Sequence, residues 1–375
     1  MRRLMKQVEA DMRKNGITLR PLSEWSGIKT STIQAGLSGV TKEMKLENFI
    51  SIVFIIYENG YKRRSVINQF ILLCEQDSNL IKSFLYCQFQ HDYTMLTTLF
   101  KKHSKRKNIK KYLDIFEFYQ VRNLKVMTPI ELKANLDNHT FSTLSDCQAL
   151  VNLLYCLTVY DIPNISGASL YSDAIDLNLS KVENTFIQSS IALKNKERQA
   201  YVKLLSNDVE ESRHLCWEVI DSAEKYPLMR WFAYFCLGLS FQYECAYTAE
   251  KYLLSAIKVL EEDGFGKQFR YIETKTTLAY IYIENSFNLH LIEHEYLDIG
   301  EEAHFQLKFG DSALGERMYT EMEKKGELTA YRRASRAKVK NDKIELKAAM
   351  EDFEREGNRF FAYGIKRILL KDGVK

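Results

Sequence analysis

The sequence has few of the residues that interrupt helices and no long apolar run. Only 4 of its 375 residues are proline and 16 are glycine, which is typical of a largely helical chain. The longest nearly apolar run, Phe49 to Tyr57, is far shorter than the ~20 residues that cross a bilayer. The N-terminus lacks the apolar core of a signal peptide, so we expect a cytoplasmic protein with no membrane partner.

Motifs of enzymes are also missing. The seven cysteines include no C-x-x-C pair, and most lie in apolar helical patterns, so we expect reduced, buried thiols. The phosphate-binding motif G-x-x-x-x-G-K-[ST], the dinucleotide motif G-x-G-x-x-G and the hydrolase motif G-x-S-x-G are all absent. The sequence therefore supports no enzyme, no catalytic residue and no cofactor.

One zinc motif needs separate treatment. His290, Glu293 and His294 spell H-x-x-E-H, the signature of inverted zincin peptidases, and one helix would place both histidines on the same face. Glu301, Glu302 or Glu316 could be suggested as a third ligand, but none is identifiable. The surroundings resemble helical repeats, so two surface histidines are favoured over a zinc peptidase, and we predict no metal site.

Positive charge is concentrated near the N-terminus. Residues 1–64 contain 12 basic and 6 acidic side chains, a net charge of +6, whereas the whole chain carries only +4. A second basic run, residues 101–111, adds seven cations between two apolar segments. This run is interpreted first as a solvated turn between helices, with an added contact to DNA phosphates as the alternative.

Residues 17–57 have the pattern helix, tight turn, helix. Pro21 suits a first helical turn, Gly27 allows a sharp turn, and Thr30 or Ser31 can cap the second helix. We expect Ile33 and Leu37 to face back onto the first helix, where the apolar partners are Leu22, Trp25 and Ile28.

The other side of the second helix would then be exposed and polar. Its short polar and basic groups can reach phosphates and base edges in a major groove, and they are Lys29, Thr30, Ser31, Thr32 and Gln34. The pattern is similar to the helix-turn-helix of Xre or Cro-like repressors. It predicts double-stranded DNA as a partner, and a helical hairpin that does not bind DNA is the alternative.

Beyond residue 65 apolar residues recur with helical spacing, and small residues mark close helix crossings. One seam contains Leu237, Gly238 and Phe241, and the facing seam contains Ala249, Leu253 and Ala256. This spacing resembles the 34-residue tetratricopeptide (TPR) repeat. Weaker matches to the same repeat pattern occur near residues 278–282 and 337–353. The final stretch has an apolar stripe with no following repeat to cover it, and we predict that this stripe joins a homodimer through Phe361, Ile365, Ile368 and Leu369.

The predicted fold is therefore all-α. A helix-turn-helix domain (1–64) leads through a helical linker or first repeats (65–127) into a TPR-like peptide-binding superhelix (128–358). A capping or dimerisation helix (359–375) ends the chain.

This order of elements resembles the peptide-pheromone receptors of Gram-positive bacteria and their mobile elements, and most of all the arbitrium receptors of Bacillus phages. The resemblance covers almost the whole chain. It is carried by four segments: Leu46 to Val53, Asn207 to Arg213, Phe232-Ala233-Tyr234 with Leu237-Gly238, and Asn358-Arg359-Phe360.

The resemblance implies a dimeric transcriptional regulator that controls a lysis or lysogeny decision. A signalling peptide of about six residues would dock in the repeats and shift the DNA-binding heads. The peptide contacts that it implies are Arg230, Tyr234, Asn358 and Phe360. A scaffold that sequesters a protein partner under peptide control is the alternative.

The sequence departs from the family at several positions of the peptide site. Tyr201 and Leu239 replace asparagines, and Leu228 replaces an arginine, with Arg230 two residues later. The departures indicate either that a different peptide, or none, is recognised, or that the peptide site is displaced by one or two residues from the positions named.

Overall fold

The computed structural model describes residues 1–266 and 269–371, and these residues form helices and no strand, which confirms the predicted all-α class. The first nine helices are α1 (Arg2–Lys14), α2 (Leu19–Ser26), α3 (Thr30–Leu37), α4 (Leu46–Ile56), α5 (Gly60–Leu73), α6 (Asp77–Phe89), α7 (Tyr93–His103), α8 (Lys110–Asn123) and α9 (Pro129–Asp137). The next seven are α10 (Ser145–Asp161), α11 (Ile165–Leu179), α12 (Thr185–Leu205), α13 (Val209–Ser222), α14 (Pro227–Ser240), α15 (Ala246–Glu262) and α16 (Phe269–Asn285). The last five are α17 (Ile299–Phe309), α18 (Ser312–Lys324), α19 (Ala330–Lys340), α20 (Lys343–Arg355) and α21 (Arg359–Lys371). None of these helices is long and apolar enough to cross a membrane.

Helices α1 to α4 form the head, and α2 and α3 are its helix-turn-helix. Gly27 has a φ of +68°, the left-handed conformation that the predicted sharp turn requires. Two details differ from expectation. The N-cap of α3 is Lys29, so neither Thr30 nor Ser31 caps it, and Trp25 is 65% exposed rather than packed on α3. Helix α1 packs on α3 and α4 and supplies apolar side chains for this core.

The head is continuous with the helices that follow it. Phe49 of α4 stacks on Phe70 of α5 with ring centroids 4.1 Å apart. Glu43, in the α3–α4 loop, accepts hydrogen bonds from the backbone N–H of Glu75 (2.8 Å) and from the side chain of Asn79 (2.7 Å). The predicted boundary at residue 64 falls inside α5, so the head and the first repeats share one core.

Helices α10 to α20 pack largely as successive hairpins. The predicted crossing of α14 and α15 is close, because a Cβ atom on Gly238 would lie 2.7 Å from Leu253 and 3.3 Å from the carbonyl oxygen of Ala249. Ala249, Leu253 and Ala256 are fully buried in this seam, as the repeat pattern predicts. Six of the seven cysteines are buried free thiols, and Cys245 is exposed.

Helix α21 packs against α20 and reaches back to α12 and to the turn after α14. Arg367 donates to the carbonyl oxygen of Tyr243 (2.8 Å), and Phe361 packs edge-on against Tyr331. Phe361 and Ile365 are buried within the chain, while Ile368 and Leu369 are half-buried. The last part of the predicted C-terminal segment, residues 372–375, lies outside the described residues.

Candidate functional site

The polar face predicted for α3 is exposed. Ile33 and Leu37 hold α3 in the core of the head, whereas the five predicted DNA-contacting residues, Lys29, Thr30, Ser31, Thr32 and Gln34, are all exposed. No side chain caps the N-terminus of α3, so its first backbone N–H groups are open to an anion. This end of α3 can therefore contact both base edges and phosphates.

Three connected spaces form a cavity on the inner side of the helical repeats. An inner chamber of about 250 Å³ is bordered by residues that also line an outer groove of about 980 Å³ and a side chamber of about 250 Å³. All three spaces share Tyr93 and Arg270. Most of the inner chamber is lined by every second helix, namely α6, α8, α10, α12, α14 and α16.

The inner chamber contains charged side chains that pair with one another. Arg122 binds Asp161 through two hydrogen bonds of 2.7 and 2.9 Å. Glu197, only 2% exposed, accepts from both Lys194 (2.7 Å) and Arg198.

Arg270 completes the set by pairing with Glu273 (2.7 Å). The chamber lining thus includes four cations, Arg122, Lys194, Arg198 and Arg270, against the three carboxylates Asp161, Glu197 and Glu273. The Nε atom of Arg198 is buried without a hydrogen-bond partner, as is the side-chain oxygen of Asn123. Because its lining includes four cations and three carboxylates, the chamber favours an anionic ligand.

The protonation of two chamber residues reflects this environment. Burial, together with the positive charges of Lys194, Arg270, Arg198 and Arg122, holds the pKa of His91 well below its ordinary value, so this imidazole is neutral. Burial lowers the pKa of Lys194 to about 8, although Glu197 favours its charged form.

Aromatic rings form the walls between these charges. The guanidinium of Arg198 lies 4.2 Å from the ring centroid of Phe232, and that of Arg270 lies 5.2 Å from Trp231. The indole N–H of Trp231 is held by Thr274 (2.9 Å), which fixes this wall. Guanidinium groups on aromatic faces stay available to a carboxylate at their edges.

The outer groove is different in character. Much of its lining is apolar, and two of its side chains are strongly exposed: Val126 is 66% and Phe269 is 71% exposed. Met127, Pro129 and Leu132 complete this apolar part. A ligand with one charged end and apolar side chains would match the two spaces together.

The four residues predicted to contact a peptide do not line these three spaces. Arg230 pairs with Asp263 (2.8 Å), and Tyr234 packs edge-on against Trp217. Asn358 and Phe360 are 6% and 3% exposed. Asn358 donates to the hydroxyl of Tyr331 (3.0 Å), and Phe360 packs on Tyr243. No described contact brings these four side chains together, and their role in peptide binding stays a prediction.

Two positions at which the sequence departs from the family do line the chamber. Tyr201 and Leu228 border it, and so do Trp231, Phe232 and Phe235 on the same face of α14 as Leu228. Arg230 lies off that face, because two residues rotate a helix by about 200°. A helical-wheel projection from Leu228 was the sequence feature that could have identified this wall.

The H-x-x-E-H motif does not form one helix. His290 and His294 lie in separate 3₁₀ turns, Leu289–Leu291 and His294–Tyr296, so the predicted shared helical face is wrong. His294 hydrogen-bonds Glu302 (2.8 Å), and Glu293 pairs with Lys275. Residues 1–266 and 269–371 contain no group of three side chains placed to hold a metal ion.

Comparisons with known proteins agree with this architecture. A family model described as AimR transcriptional regulator-like matches residues 63–363. The uncharacterized protein pXO2-35 of Bacillus anthracis is 24% identical over 230 residues, which are 60% of this chain and 84% of that protein.

Two solved structures have a similar fold. Selenomethionine phAimR superposes with a TM-score of 0.76 at 14% identity, over 99% of this chain and 97% of that chain. A phAimR structure with ligand gives a TM-score of 0.71 at 12% identity, over 82% and 92% of the respective chains. The predicted family resemblance is thereby confirmed, and the regulator is favoured over the scaffold. Because the family model spans most of the chain, this protein belongs to the AimR transcriptional regulator-like family.

Proposed function

We propose that this protein is a DNA-binding transcriptional regulator of a lysis–lysogeny or similar mobile-element decision, gated by a short peptide in the cavity. The observation that carries this proposal is a segment whose described parts, 263–265 and 269–271, contact α5, the helix that follows the head, and line the cavity, respectively. A protein that acts on DNA of a bacterial phage would work in the cytoplasm.

The first end of this segment holds α5, which continues from the head. Asp263, only 2% exposed, binds Arg63 of α5 and Arg230 of α14. Arg64 donates to the carbonyl oxygen of Gly264 (2.7 Å), and its guanidinium lies 4.2 Å from the ring centroid of Phe265. We call these contacts, made by residues 263–265, the head clasp.

The other end of the segment reaches the ligand cavity. Phe269 borders the outer groove, and Arg270 borders all three spaces. The side chamber is lined by Arg64 of the clasp as well as by Arg270. A ligand that binds Arg270 more tightly when Arg64 is held in one position would therefore also bias the position of α5 and the head.

The chemistry of the cavity favours a peptide with a free carboxylate. The carboxylate would bind in the inner chamber beside Arg198 and Arg270, and apolar side chains would lie in the outer groove near Val126 and Phe269. A chain of about six residues is long enough to reach from one space to the other.

The regulator would bind its operator as a homodimer, with the exposed face of α3 in the major groove. Two heads require two half-sites in the operator. We place the dimer contact on the outer side of α21. Tyr363 and Leu370 lie there and are 47% and 62% exposed, while Ile368 and Leu369 border the buried face of the helix and are half-buried.

Peptide binding tests this proposal. The probes are synthetic peptides that match the C-termini of small secreted frames encoded beside the gene, each with a free or an amidated C-terminus. We expect one free-acid peptide to bind and to change operator affinity. Arg198→Met should weaken its binding roughly tenfold to a hundredfold, the value of one charge-assisted hydrogen bond.

Arg230→Met is the matched control, because it removes the same charge from the clasp instead of the chamber. It should preserve peptide affinity but reduce the effect of peptide on DNA binding. If Arg230→Met weakens peptide binding and Arg198→Met does not, the sequence-based assignment of Arg230 holds and the chamber assignment fails. If no such peptide binds, peptide gating itself is refuted.

A further inference from the structure

The second basic run, residues 101–111, is attached to the helices beside the head. Lys102 binds Glu75 (2.9 Å) and the carbonyl oxygen of Leu72, while Arg106 binds Asp77 (2.6 Å). Both basic side chains are thus fixed to the N-terminal end of α6 and the turn before it. These contacts hold the run in a defined position, although most of its side chains are exposed.

The same end of α6 is attached to the helix-turn-helix. Glu43 accepts hydrogen bonds from the backbone N–H groups of Glu75 and Gln76 and from Asn79. The loop that contains Glu43 is tied to α3, because the N–H of Thr41 donates to the carbonyl oxygen of Ala35 (2.9 Å). A short chain of hydrogen bonds therefore sets the position of the basic run relative to the recognition helix.

Three lysines of the run remain without partners. Lys101, Lys105 and Lys107 are exposed, and none of their side chains has a hydrogen bond or ion pair within the described residues. The nearby carboxylates of Glu43, Glu75 and Asp77 are already engaged. On the loop beside them, Lys42 and Lys45 are likewise exposed and unpaired.

We propose that Lys101, Lys105 and Lys107 continue the positive surface of Lys42 and Lys45 and bind the phosphate backbone of DNA that flanks the sequence contacted by α3. This phosphate strip rests on the proposed DNA-binding function and extends it to α7 and the turn after it. The other exposed side chains of residues 101–108 are those of Lys102, Ser104 and Asn108, which are polar. Protein partners are recognised mainly through apolar and aromatic anchors, and the strip has none.

The salt dependence of DNA binding tests the strip directly. Each phosphate contact adds about 0.9 to the slope of log affinity against log salt concentration. The probe is a duplex selected by the wild-type protein from a random pool, with flanking DNA on both sides. Replacing Lys101, Lys105 and Lys107 together by Gln should reduce this slope by about 2 to 3 between roughly 50 and 200 mM salt.

Two controls isolate the strip. One control replaces Lys324, Lys325 and Lys347 together by Gln, which removes the same charge from exposed positions on and beside α18 and α20. This variant should leave the slope unchanged. The other control replaces Lys101, Lys105 and Lys107 together by Arg. It should retain the wild-type slope, since phosphate contacts need only the charge. On a duplex trimmed to the core that α3 contacts, the Gln variant and the wild type should bind alike.

The outcomes separate the strip from the function on which it depends. If the wild type binds its selected duplex but the Gln variant keeps the wild-type slope, the strip is refuted and the DNA-binding function stands. If the remote control lowers the slope equally, the effect is that of net charge and the strip is also refuted. A wild-type protein that selects no duplex overturns both proposals.

Discussion

The recognition helix and the inner chamber use polar residues in opposite ways. On α3 the polar side chains are exposed and have no partner within the described residues, and only Ile33 and Leu37 hold the helix in place. In the chamber the charged groups are enclosed, and Glu197 is 2% exposed between two cations. Exposed polar groups cost little to change, whereas buried paired charges are coupled to folding. Substitutions on α3 should therefore change ligand binding without changing stability, whereas substitutions in the chamber should change both.

The largest expected effect is on α3. Replacing Lys29, Thr30 and Gln34 together by Ala should abolish specific operator binding, because base contacts contribute about 1–3 kcal/mol each and three would be lost. Since all three residues are exposed, the thermal unfolding temperature and the dimer should be unchanged. A fluorescence anisotropy titration with specific and scrambled duplexes measures the loss.

The same substitution in Lys6, Gln7 and Lys14 of α1 provides a control with equally exposed side chains on the head. It should retain the ratio of specific to non-specific affinity. If the α3 variant retains that ratio as well, another element contacts the bases.

The helix-turn-helix of the head was predictable because the residues that determine it are close together in the sequence. Gly27, Pro21 and the apolar positions that bury α3 lie within about twenty residues of one another, so turn geometry and helical periodicity were sufficient. The close crossing at Gly238 was visible for the same reason. Trp25 was misplaced because α1, which the sequence analysis had not assigned, packs on α3 and α4 and supplies much of the core of the head.

The chamber was not predictable because its charges look like surface pairs. Lys194 with Glu197 and Arg270 with Glu273 are three residues apart, the usual spacing of ion pairs on an exposed helix. Only the superhelical path of α6 to α16 turns these helix faces inward. The clasp pair of Arg63 and Asp263 is separated by 200 residues, which sequence spacing cannot reveal.

In the chamber, Glu197→Gln should reduce stability strongly. The substitution removes the carboxylate shared by Lys194 and Arg198 and leaves two enclosed cations without it, at a cost of about 3 kcal/mol. Thermal or urea unfolding measures the loss. Glu218→Gln breaks the ion pair of Glu218, on α13, with Lys196, on α12, and should cost well under 1 kcal/mol, because both side chains reach solvent. Equal losses in the two variants would show that the chamber charges are solvated like surface charges.

At the clasp, Asp263→Asn should reduce stability less than Glu197→Gln does. Its main effect should be on the coupling between peptide binding and operator binding. It weakens the contacts of Arg63 and Arg230, whose side chains are 17% and 26% exposed and so better solvated than Lys194 and Arg198, for a cost of about 1–2 kcal/mol. We expect peptide affinity to be preserved and the peptide-induced change in operator affinity to fall. If peptide still shifts operator affinity by the wild-type factor, the signal reaches the head by another route.

The smallest expected effect is a pH dependence of peptide affinity in the chamber. DNA binding by α3 should not show this dependence. Lys194 has a pKa lowered to about 8, so it is protonated at pH 7 and mostly neutral at pH 9, while His91 is neutral throughout this range. The affinity of a free-acid peptide should therefore fall with rising pH across this window, by about fivefold, or about 1 kcal/mol. The amidated peptide should bind with little pH dependence. Lys194→Arg, which stays charged, should remove the fall, and isothermal titration at pH 7, 8 and 9 measures it. A free-acid peptide whose affinity in the wild type stays constant from pH 7 to 9 would place the ligand carboxylate away from Lys194.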